Sequence, residues 1–158
     1  MDDVVLARAL HVLGVVIWIG GVAMVTMVLL PAIRRGDLGP NRLEVFEAIE
    51  RRFARHARLA TIVVGLTGFY MTQRLELWDR FRSSGFWWMH TMVCLWLLFT
   101  IVLFMAEPLV LHRWFHERAT AAPDAAFASL HSAHWLVLVL SIITILGAVA
   151  GSQGMSLF

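Results

Sequence analysis

Four stretches of the chain are almost wholly apolar, and the polar residues collect between them. Counting Asp, Glu, Lys, Arg and His, Ala9 to Ile33 holds one such residue, His11; Leu59 to Thr72 holds none; Phe86 to Ala106 holds only His90; Trp135 to Gly151 holds none. A helix rising 1.5 Å per residue needs roughly 20 apolar residues to cross the hydrocarbon core of a bilayer. The first and third runs reach that length alone. The other two reach it by taking in Phe53 to Arg58 and Ala126 to His134. The pattern predicts membrane-spanning helices over approximately 5–33, 53–73, 86–110 and 127–151. The expected fold is all-α, an integral membrane four-helix bundle running up-down-up-down. Residues 1–158 should form one domain, because only short connections remain outside the helices.

Local signals refine the boundaries. Asn41 with Glu44 three residues on reads as a capping box, followed by Leu43, Phe46, Ile49 and Phe53 at helical spacing, so the second helix should begin there as a wet amphipathic segment. Leu77, Trp78, Phe81, Trp87 and Trp88 read as interfacial aromatic anchors. The third helix should continue past Pro108 to about Arg118 with a kink or a gap in its hydrogen bonds, and Pro123 with Asp124 should mark the last turn before the fourth. The first apolar run is about twice the length of a signal-peptide core and is expected to stay as a helix.

Composition agrees with a membrane chain: 59% of residues are hydrophobic, 15% are charged, and mean hydropathy is +0.75. The chain has no lysine, so orientation rests on arginine. Arg34, Arg35, Arg42, Arg51, Arg52, Arg55 and Arg58 crowd the first connection, whereas Asp2 and Asp3 oppose Arg8 at the N-terminus, and Glu76 and Asp79 offset Arg74, Arg80 and Arg82. The positive-inside rule makes the first connection cytoplasmic and both termini periplasmic or exterior, as expected for a multi-pass protein of a bacterial inner membrane. The net charge of +2 thus reports topology and gives no support for nucleic-acid binding. Cys94 is the single cysteine, which excludes an intramolecular disulfide.

Histidine supplies the candidate chemistry. An ionisable ring at membrane depth is costly and is usually kept for function, and His11, His56, His90 and His134 each lie in or beside one apolar run. Diagonal helices of a square bundle stand roughly 12–14 Å apart, a gap that an iron porphyrin with two axial imidazoles bridges. His11 and His90 would share one haem on the exterior side, and His56 with His134 a second on the cytoplasmic side, with His131 as the alternative to His134. On the first helix His11 shares its face with Gly14, Trp18 and Gly21, and the two glycines let a flat macrocycle approach or, equally, let a neighbouring helix pack. Arg8, Arg55 and Arg58 stand where propionates would need cations. His112 and His116 are better read as interfacial or hydrogen-bonded residues, and Glu107 as a carboxylate able to enter the bundle.

Several segments carry a resemblance. Leu10-His11, Ile17-Trp18, Gly20-Gly21 and Leu29-Leu30-Pro31 look like the first helix of the copper-resistance D (CopD) family and related small membrane haem proteins. Phe46, Glu50-Arg51-Arg52-Phe53 and Trp88-Met89-His90 are similar to HemJ-type protoporphyrinogen oxidases, which share the four-helix plan. The resemblance implies haem b with His11 as axial ligand. It gives copper handling and protoporphyrinogen oxidation as alternatives, although Met92 stands where the HemJ type has a lysine. The expected function is a b-type membrane cytochrome holding one or two haems. It would exchange electrons with quinone or a redox protein among membrane lipid, with a homodimer as the expected assembly if one forms. A non-catalytic membrane anchor is the remaining alternative.

Overall fold

A computed structural model describes residues 1–154, and their side chains except at 108–112. Every long element among these residues is helical: α1 (Asp2–Met24), α2 (Leu30–Arg35), α3 (Arg42–Arg74), α4 (Trp87–Ile101), α5 (His112–Ala121) and α6 (Pro123–Ser152). A π-helical segment, Val25–Leu29, joins α1 to α2, and another, Val102–Leu111, joins α4 to α5. Three helices are long and apolar enough to cross a membrane: Asp2–Arg35, Ser84–Glu107 and Pro123–Ser152. The predicted second span lies inside α3, which differs from the other three. Its 33 residues would extend about 50 Å, but arginines and glutamates fill the first half and the uncharged run starts only at Leu59.

The π segments have a covalent cause in the first case. Pro31 lacks an N–H and its ring would strike the carbonyl four residues back, Met27, and the backbone widens at that turn instead of breaking. The second segment carries the helix through position 108, where a kink or gap was expected. Gly36 then stops α2 in the left-handed conformation, φ 81°, with Asp37 N–H closing on the Ala32 carbonyl at 3.0 Å. Helix α3 begins after Asn41 as its spacing predicts, yet the Asn41 side chain makes no cap bond, so the capping box does not form.

Helix α1 packs along α3 and touches α6, while α4 packs on α6 and touches α3, which sets α1 diagonal to α4 and α3 diagonal to α6. Trp18, Val22, Ala60, Val64 and Leu138 form one core; Val25, Leu29, Leu30, Ile33, Phe46 and Phe127 form another toward the arginine-rich end. Three buried hydroxyls are absorbed locally, Thr26, Ser141 and Thr144 donating to carbonyls one turn back at 2.7, 2.8 and 2.7 Å, while Thr61 Oγ1 has no partner among the described residues.

Glycines act as notches between helices. A Cβ on Gly147 would lie 2.6 Å from Trp87, and one on Gly151 2.3 Å from Trp88 Nε1, so these two tryptophans seat α4 on α6 and are not the outward anchors expected. Trp78, by contrast, is exposed and stacks with Phe69 and Phe81. Gly147→Leu should therefore separate α4 from α6 at a cost of about 1–3 kcal/mol, seen as a lower melting temperature of the purified protein. An unchanged melting temperature would show that this notch is not filled.

Candidate site at the arginine-rich end

The predicted inward face of α1 is the face that the fold buries: Ala7, Gly14, Trp18 and Val22 are buried, with His11 half-buried among them. His11 Nδ1 lies 3.1 Å from the Val64 carbonyl and 3.0 Å from Thr67 Oγ1, whose own hydrogen goes to the Val63 carbonyl at 2.6 Å. Both neighbours accept, so Nδ1 carries the proton and Nε2 keeps its lone pair. The ring rests against Gly68. Gly14 receives Val64 and Ala60, and Gly21 receives the Phe53 ring, so both glycines serve helix packing in this structure. Trp18 meets Phe99 edge-on at 4.7 Å, with its Nε1 buried and unpartnered among the described residues.

The expected partner of His11 is elsewhere. His90 is exposed, its Nε2 2.9 Å from the Phe81 carbonyl and its Nδ1 3.3 Å from that of Phe86. The physical reason is helical phase: α4 buries Trp88, Met89 and Leu95, and half-buries Met92 and Phe99. His90 falls two residues from both Trp88 and Met92, across the helix from that face. His56 is likewise exposed and bonds back to the Arg52 carbonyl at 2.8 Å, so it does not face His134. Neither predicted histidine pair is brought together. His131 spends both ring nitrogens tying α6 to the first helical run: Nε2 donates to the Thr26 carbonyl and Nδ1 accepts from Arg34, each at 2.9 Å. Arg8 and Arg55 are exposed, and the side chain of His112 lies outside the described residues.

His134 is different. Its Nδ1 donates to the Leu130 carbonyl at 3.0 Å, leaving Nε2 as the free ring nitrogen, and the residue lines a cavity of about 350 Å³ at the arginine-rich end. The walls are apolar and aromatic, from Phe46 and Phe53 on α3, Phe99 on α4, Trp114 and Phe115 on α5, and Leu130 and Val137 on α6. Both π segments contribute, through Val25 and Leu29 and through Val102, Leu103 and Glu107, so the widened turns border this space.

Three carboxylates also line it, and the sequence had pointed to only one. Glu107 pairs with Arg58, which also donates to the Leu103 carbonyl at 2.9 Å; Glu47 lies 2.7 Å from His116 Nδ1; Glu50 is the third. The signal was present: Glu50 stands four residues after Phe46 and three before Phe53, on the apolar face of α3. His116 is thus a hydrogen-bonded residue, in line with its reading from the sequence. Among the described residues no group of three or more His, Cys, Asp or Glu is placed to hold a metal ion.

As a haem site the cavity fits in part. His134 supplies one imidazole among apolar walls, which suits a single axial bond, but the described lining adds Glu47 and Glu50 and no second histidine, and Arg58 is already matched by Glu107. No family model, curated protein or solved structure matches the chain.

Proposed function

We propose that the protein is a four-helix integral membrane redox protein that binds haem b in the cavity at its arginine-rich end, with His134 as the one histidine ligand. The observation that carries this reading is His134: one ring nitrogen is held by a backbone carbonyl, the other has no hydrogen-bond partner among the described residues, and the residue lines an aromatic cavity. A carbonyl-held imidazole of this kind is fixed in the tautomer and orientation that ligation uses. Bound haem would supply one-electron transfer. The chain would supply orientation through Leu130 and His134, exclusion of water through Phe46, Phe99 and Phe115, and proton acceptors through Glu47 and Glu50.

The membrane setting is supported by the large apolar side chains that face away from the core along every rod, among them Leu13, Ile17, Leu66, Phe69, Leu97 and Leu146. In the proposed orientation the Gly36–Gly39 turn is cytoplasmic. With Cys94 replaced by Ala, a thiol introduced at Gly39 should label from the cytoplasm and one at Ser84 from outside; the reverse pattern would invert the protein.

The test of the haem reading is an optical spectrum of the purified protein. A single histidine ligand predicts a high-spin ferrous haem that binds carbon monoxide. A low-spin spectrum would require a second protein ligand and would return a bis-histidine site to favour. The carboxylates favour one further reading, a quinone in the same cavity, since quinol hydroxyls need acceptors and the volume lies near the small end of ligand sites. Extraction of quinone from a preparation free of haem would select it. Copper without haem would point to the CopD alternative, and no bound group of any kind to an anchor.

A further inference from the structure

The outward face of α3 carries a basin that the redox reading does not use. Arg51, Arg52 and Arg55 line it with Ala48 and Arg58. The nearest acids on the same helix are committed elsewhere: Glu47 faces His116, and Glu50 lines the cavity on the other side of α3. Arg58 is turned to Glu107 and the Leu103 carbonyl. Arg51 bonds only the Glu47 carbonyl one turn back, at 3.3 Å, which holds its stem against the helix. Among the described residues none of Arg51, Arg52 and Arg55 has an ion-pair partner, although Arg35, Arg42, Arg74, Arg82 and Arg113 each have one. Three exposed guanidinium groups on one concave patch repel each other and attract anions.

The basin ends where the uncharged half of α3 starts, at Leu59, so in the proposed membrane setting it lies at the depth of lipid headgroups. Guanidinium forks match phosphate oxygens in pairs, which a solvated positive face does not require but a phosphate site uses. We propose that Arg51, Arg52 and Arg55 bind the phosphate of an anionic phospholipid, fixing α3 at the membrane surface. This proposal rests on the membrane reading and is independent of haem.

The full-length protein in neutral detergent, offered phosphatidylglycerol or phosphatidylcholine, is assayed for retained lipid by native mass spectrometry. At about fivefold per arginine, the R51Q/R52Q/R55Q variant should lose phosphatidylglycerol affinity by on the order of a hundredfold. R80Q/R82Q, between α3 and α4, should keep it. R51K/R52K/R55K should fall between, since lysine keeps the charge and loses the fork. A separate arm offers inorganic phosphate alone. Binding of phosphate with no lipid retained would overturn the lipid proposal and leave a site for free phosphate. Equal retention of the two lipids by wild type, or equal phosphatidylglycerol retention by wild type and the glutamine variant, would overturn the proposal. If the triple variant does not fold, R55Q alone should show the fivefold loss, and its absence would overturn the proposal equally. Failure of the membrane reading would appear separately, as protein recovered without detergent.

Discussion

Purified His134→Ala protein is expected to hold at least about tenfold less haem than wild type, because the exchange removes the one imidazole that the described residues place on the cavity. His56→Ala should retain full haem, since that ring is exposed and bonds its own helix. His131→Ala is a sharper control. It removes the contacts to Thr26 and Arg34 and should lower stability without changing the haem spectrum. Haem-to-protein stoichiometry and the ferrous spectrum of the three variants decide the matter. Full haem in His134→Ala would remove the cavity from consideration. It would direct attention to His11, whose Nδ1 is also held by the Val64 carbonyl.

The largest stability effect should come from Phe127→Ala. The Phe127 side chain is fully buried and sits between Phe46 and Phe115, at centroid distances of 5.6 and 5.5 Å, with the Arg42 guanidinium 6.0 Å from its ring. Truncating such a ring costs about 3–5 kcal/mol. The loss would fall where α3, α5 and α6 meet, so it should loosen the cavity as well as lower the melting temperature. Phe127→Leu, which keeps most of the volume, should recover the larger part of both. A melting temperature unchanged in Phe127→Ala would mean that this end of the protein contributes little to its stability.

Much of the fold is legible in the sequence, because apolar runs and helix signals are local. The start of α3 after Asn41 and the buried stripe through Gly14 and Trp18 can each be read from a few nearby residues, whereas α6 begins at Pro123, where the sequence reads as a turn, because proline also suits the first turn of a helix. The site was less legible. Rarity drew attention to His90, the only Asp, Glu, Lys, Arg or His of its run, but rarity carries no phase. The residues Trp88, Met92, Leu95 and Phe99, at helical spacing, would have set His90 on the opposite face. Glu47 and Glu50 were passed over for a related reason: in a segment crowded with charge they read as surface residues, although each lines the cavity beside a phenylalanine of the same stripe. The partners of His116 and His131 lie 69 and 97 residues away in the chain, and no local pattern announces such a pairing.

The π-helical turns bear on how such a cavity can be gained or lost. A π turn accommodates one residue more than the α-helical turn it replaces, so removing a single codon within 25–29 would restore regular winding and leave the side chains after it on their present faces. Leu30 and Ile33 would stay in the core, whereas the widened turn through which Val25 and Leu29 border the ligand space would close. Substitutions shift this end of the protein by degrees, whereas an in-frame deletion would switch it in one step. Homologous chains that have dropped one residue ahead of the proline would then be expected to have a narrower pocket while keeping the rest of the fold.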